Sequence, residues 1–164
     1  MRLLIRFFLI SSVFFLLKNY TFSQETSSLV DPKIFYIGQN EKEYSQIIKN
    51  YPESLLTVSK DSIDLAYLNW MYVLQDIEVF ARKEKFDLNG LKIWLNVFWN
   101  KNGKIDAISF YPKPNSRNME FENLVSFFKE FARQYNPRLK YKANFSHFGS
   151  AKFPSFAEMY INQK

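Results

Sequence analysis

Lys92-Ile93-Trp94-Leu95-Asn96-Val97-Phe98-Trp99-Asn100-Lys101-Asn102-Gly103-Lys104-Ile105-Asp106-Ala107-Ile108-Ser109-Phe110 is the most informative run in this chain. Its first eight residues alternate as a strand does, with Ile93, Leu95, Val97 and Trp99 on one face and Lys92, Trp94, Asn96 and Phe98 on the other. Large apolar side chains lie on both faces. The strand is therefore expected at the centre of a sheet, or covered on part of its second face. Residues 100–104 carry hairpin chemistry, because Asn102-Gly103 tolerates the positive φ angles of a tight turn. In the returning strand the step from Ile105 to Ile108 is odd and the step from Ile108 to Phe110 is even. A β-bulge near Asp106-Ala107, with two residues opposite one, reconciles the two.

Downstream, Tyr111-Pro112-Lys113-Pro114-Asn115-Ser116 reads as a connection, since neither proline can donate to a ladder. A helix is predicted to start near Asn118, with Glu120 and Glu122 in its first turn. Phe121, Leu124, Val125, Phe128, Ala132 and Tyr135 then recur at spacings of three and four, an amphipathic stripe that ends at Asn136-Pro137. The tail holds Phe145, Phe148, Gly149, Phe153 and Phe156, and a last edge strand is predicted over 152–156, where Pro154 is tolerated. Upstream, Ser59, Asp61 and Ser62 are N-cap candidates for a long helix, and Asp64 suits its first turn. Ala66, Trp70, Val73, Ile77, Phe80 and Ala81 form its apolar stripe, and Arg82, Lys83 and Lys85 complement its C-terminal dipole. Asn89-Gly90 marks a turn. Before that helix, a short strand is predicted over 34–37 and a helix over 41–48 ended by Tyr51-Pro52. The apolar segment 55–58 has no defined type. The order of elements predicts an α+β fold: a small antiparallel sheet with helices packed on one face.

The chain opens with Arg2 and Arg6, then an apolar stretch from Phe7 to Leu17 broken by Ser11 and Ser12, then polar Lys18, Asn19 and Tyr20. That pattern predicts a secretory signal peptide over 1–23, with Thr21 and Ser23 at the −3 and −1 positions of the cleavage site. The apolar stretch falls short of the roughly 17–25 residues a membrane span needs. The expected organisation is a signal peptide at 1–23, an N-terminal segment with a short helix at 24–60 and an α+β domain at 61–164. A periplasmic or secreted location follows, with no stable membrane span after cleavage. Cysteine is absent, so neither a disulfide framework nor a lipid-anchored cysteine is available. The formal charge of +6 includes Arg2, Arg6 and Lys18, and without them it is +3. So modest a surplus, spread among carboxylates, argues against a nucleic-acid partner, which would need clustered cations. The aromatic share of 19%, alongside heavy use of Ile, Lys and Asn, is what an AT-rich genome produces.

Between residues 92 and 156 the chain resembles the C-terminal domain of TonB. The resemblance rests on Val97, Asn100, Gly103, Ile105 and Ile108 in the hairpin, followed by a helix opening on Glu-Phe-Glu and an apolar last strand. It implies that fold and a periplasmic setting, of the kind met among small exported proteins of Bacteroidetes type. It does not imply energy coupling, because no long proline-rich spacer is present.

No catalytic constellation stands out. His147 is the single histidine and is expected on a loop or at the surface; a zinc centre needs several ligands and a triad needs partners at hand. Asp61 and Asp64 are explained by capping, and Asp76 and Glu78 point apart on a helix. Isolated glycines make no phosphate-cradling loop. No cofactor or metal is expected. What remains is an interaction module with an unknown protein or peptide partner in the periplasm, using a free sheet edge. Trp94, Phe98, His147, Lys152, Phe153 and Phe156 are the candidate surface residues. The alternative is a small secreted ligand-binding protein or hydrolase built on the aromatic strand and His147. Contact of a basic surface with anionic lipid is a third reading.

Overall fold

In the computed structural model, which describes residues 31–164, the alternating run becomes the central strand of a five-stranded sheet. The expected signal peptide and the start of the polar lead-in lie outside the described residues. The elements in chain order are β1 (Lys33–Tyr36), α1 (Glu41–Asn50), β2 (Glu53–Ser54), α2 (Leu55–Val58), α3 (Ile63–Lys83), β3 (Lys92–Trp99), β4 (Ile105–Pro112), α4 (Phe121–Gln134), β5 (Phe145–Lys152) and α5 (Ala157–Ile161). The strands lie in the order β1-β4-β3-β5-β2.

The β3–β4 hairpin forms as its sequence requires. Phe98 pairs with Ala107 and Trp99 with Ile105, so Asp106 is the extra residue of a bulge. The bulge aims the Asp106 carboxylate at two donors, Asn100 Nδ2 at 2.7 Å and the Tyr51 hydroxyl at 2.8 Å. Burial, reinforced by that carboxylate, pushes the Tyr51 phenol well above its ordinary pKa. One irregular residue thus ties the turn to the end of the N-terminal segment. In the turn, Gly103 alone adopts positive φ, at +80°. A Cβ there would lie 1.9 Å from the Leu139 carbonyl oxygen, so only glycine lets the 137–139 loop close over the hairpin.

The fold is α+β, with one departure from the expected sheet. β3 runs antiparallel to β4 and β5, while β1 is parallel to β4 and β2 is parallel to β5. The sheet is mixed, and β3 alone runs against the other four strands. The cause is the segment before residue 61, which supplies a short strand to each edge, so the sheet crosses the expected boundary at residue 60. α1 carries the chain between the two edges. Its ten residues span about 15 Å, close to the roughly 19 Å width of five strands.

Helices consequently cover both faces. On the first face α3 and α4 bury Ile93, Leu95, Val97 and Trp99 together with Ile108, Phe110 and Phe145. On the second, Tyr44, Ile47 and Tyr51 from the α1 region pack on Phe35, Phe98 and Ala107. Ser62 caps α3, accepting from the Leu65 N–H at 3.3 Å, and Arg82 and Lys83 stand in its last turn. The stripe of α4 is wider than expected, since Phe127 and Phe131 are buried against Phe80.

The last strand is displaced from its expected place at 152–156. It occupies Phe145–Lys152, in continuous register with β3 from Trp99 to Lys92. Phe153 still bonds Leu91 and Gly90, and the chain then turns at Pro154 so that Ser155 binds the Glu78 carboxylate. Phe128 is wholly buried whereas Phe121 is half-buried. Phe128→Ala is therefore expected to lower the unfolding free energy by about 3–5 kcal/mol in denaturant titrations. Phe121→Ala is expected to cost clearly less; equal losses would contradict the packing.

Candidate functional site

The second face of the sheet is covered over half of its length. α1 seals the end that holds Phe98, which is completely buried. The boundary is Asn96, a buried amide whose Nδ2 donates to the Tyr44 hydroxyl at 3.0 Å and to Ser109 Oγ at 3.2 Å. Satisfied on both sides, it closes the covered half without an orphaned polar group. Beyond it the sheet is open to solvent.

Three large aromatic side chains stand on the open half, Trp94 at 51% exposure, Tyr111 at 43% and Phe148 at 53%. Register aligns Tyr111, Trp94 and Ser150 in one row across β4, β3 and β5, with Lys92 directly opposite Lys152 in the next. Lys113 reaches over this surface. Its ammonium lies 3.9 Å from the centroid of the Trp94 ring and donates to Ser150 Oγ. Ile37, Trp94, Asn96, Tyr111, Phe148 and Gly149 line a shallow open cleft of about 510 Å³.

The cleft runs to the outer edge of β5. There β2 pairs only with Phe145 and Ser146 before the chain turns away into α2. The Phe153 N–H donates to Leu91 on the β3 side, and alternation along the strand then turns the backbone groups of Phe148, Ser150 and Lys152 outward. Among the described residues no strand pairs with that stretch. On the first-face flank of the same edge, Leu56, Ile63, Ala66, Tyr67, Trp70 and His147 line an apolar groove of about 250 Å³.

The structure separates the candidate residues named from sequence. Trp94 and Lys152 share the open face. Phe98 and Phe153 are core residues and offer no surface: α1 covers the first, and the second continues the β5 ladder against Leu91. Phe156 is exposed at the start of α5, away from the cleft. His147 is on a strand rather than a loop and faces the other way, with its ring 4.5 Å from that of Trp70. Trp94 and His147 are therefore on opposite faces and cannot line one site. Gly149 permits the close approach of Trp70 to β5, because a Cβ there would lie 2.6 Å from Trp70 Cζ2.

Tyr111, Lys113 and Phe148 were missed. Tyr111 and Lys113 fall in the stretch that reads as a connection, and Phe148 falls before the edge strand expected at 152–156. The alternation 146–148–150–152 was the available signal. The helix carboxylates are structural: Asp76 takes a bidentate pair from Arg138 at 3.0 and 2.6 Å, and Glu78 holds Ser155. Among the described residues, no group of three or more His, Cys, Asp or Glu is placed to hold a metal ion, and no helix is long and apolar enough to cross a membrane.

No family model, curated protein or solved structure matches this chain.

Burial beneath Trp70 lowers the His147 pKa. The unfolded chain takes up this proton near pH ~6.5, its ordinary value, and the folded protein resists it to lower pH. Between the two the unfolded state binds more protons, so stability falls as acid is added. A proton-NMR titration should place the His147 midpoint below about 6.5. The unfolding free energy should fall between about pH 7 and pH 5, by less in His147→Gln; a midpoint above the ordinary value would contradict the burial.

Proposed function

We propose that this protein is an exported interaction module that captures an extended segment of a partner protein along the outer edge of β5. The supporting observation is the row of outward backbone groups at Phe148, Ser150 and Lys152, which β2 leaves unpaired. An added strand gains its affinity from main-chain hydrogen bonds and its specificity from alternate side-chain pockets. Such pockets flank this edge on both sides. Side chains pointing to the first face meet Leu56, Ile63, Tyr67 and Trp70, and those pointing to the second face meet Phe148 and the open aromatic cleft.

The setting is periplasmic or secreted. The basic, apolar and polar run at residues 1–23 supports export, and the resemblance of 92–156 to TonB C-terminal domains supports a periplasmic place. Lys152 at the end of the edge also guards against indiscriminate self-pairing, as lysines on exposed strands do.

A photo-reactive phenylalanine analogue at position 148, in cells exporting the protein, is expected to capture a partner that the same group at Glu122 on α4 does not. Ser150→Pro deletes one outward N–H while sparing the β3 ladder, and should abolish the adduct without shifting the thermal midpoint appreciably. Undiminished cross-linking by that variant would sink the edge-pairing reading.

A further inference from the structure

We infer that the captured segment carries carboxylate side chains on its open-face side, so that the partner is an acidic peptide segment with apolar residues interspersed. This rests on the strand-addition reading and adds to it the chemistry of the ligand. The observation behind it is a concentration of positive charge that no carboxylate among the described residues offsets. Lys92 and Lys152 are directly opposed on neighbouring strands, an arrangement in which like charges destabilise a sheet. Lys113 brings a third ammonium to the same surface, hydrogen-bonded to Ser150 between Trp94 and the edge. Among the described residues none of the three makes an ion pair, although the rest of the surface holds seven close ones. Every sheet residue on the open half is aromatic, neutral or cationic.

A carboxylate next to Lys152, within reach of the Lys113 ammonium, would offset this repulsion. Its apolar neighbours, pointing to the first face, would settle in the groove lined by Leu56, Ile63, Tyr67 and Trp70. Other ligands fit less well. A sugar would stack on an open indole face, and Lys113 already occupies one face of the Trp94 ring. A nucleic acid would need many more phosphate contacts than three lysines provide. A second copy of the chain, paired edge to edge about Ser150, would bring two sets of these lysines together.

The full chain tests this against capped octapeptides followed by fluorescence anisotropy: one alternating valine and glutamate, one alternating valine and lysine, one of glutamate alone, and the first again with alternate backbone nitrogens methylated. The valine–glutamate peptide should bind at least about fivefold more tightly than its lysine counterpart, and Lys113→Gln combined with Lys152→Gln should remove most of that difference, as a few exposed charge pairs allow. Equal binding of the glutamate and lysine peptides, both lost on methylation, overturns the acidic preference and leaves strand addition standing. Unimpaired binding of the methylated peptide overturns strand addition itself. Polyglutamate binding as tightly as the alternating peptide reduces the site to diffuse charge and overturns the inference, and no binding by any peptide overturns both readings.

Discussion

A strand that is apolar on both faces must be covered on both, and β3 imposes that demand on the whole molecule. Ile93, Leu95, Val97 and Trp99 are buried beneath α3 and α4, and Phe98 is buried on the reverse. Burial of each such side chain contributes about 1.5–3 kcal/mol, so exposing either face would forfeit a large part of a domain's marginal stability. The two long helices satisfy the first face. The second is satisfied by the N-terminal segment, which crosses from one sheet edge to the other to bring Tyr44, Ile47 and Tyr51 onto Phe98.

The crossing helix is too short to cover everything, and the candidate site is what it leaves. Its apolar contacts end at Asn96, where a side-chain amide bonded to Tyr44 and Ser109 replaces hydrocarbon. Beyond that boundary Trp94, Tyr111 and Phe148 face solvent. The same economy acts at the edge, where two residues of β2 suffice to anchor the segment before Leu55 dives into the core. One short segment thereby defines both the open face and the open edge, and joins them at Phe148.

Local irregularities hold this arrangement in register. The bulge at Asp106 gives its carboxylate to Asn100 and Tyr51, fixing the turn and the end of α1 together. Gly103 and Gly149 each make room for a neighbour, the Leu139 carbonyl in one case and the Trp70 indole in the other. The second of these seats α3 on β5, where Trp70 meets His147, which the pleat has already placed on the first face.

Short-range rules made much of this legible in the sequence. Alternation from Lys92 to Trp99, the Asn-Gly turn, the odd step between Ile105 and Ile108 and the helical stripes at Trp70 and Phe128 are properties of neighbouring residues, and each determined its element. The same alternation already pointed to a central place in the sheet or a partial cover for the second face. The source of that cover, the parallel pairing of β1 and β2, and the shift of the last strand from 152–156 to Phe145–Lys152 were decided by tertiary structure. Two- and four-residue strands carry too little periodicity to declare a partner, and their pairing depends on where a distant ladder ends. For the same reason the meeting of Trp94, Tyr111, Lys113 and Phe148, and the separation of Trp94 from His147, were not readable from spacing. Which face a residue shares is set by register across strands far apart in the chain, and register is settled only when the whole core packs.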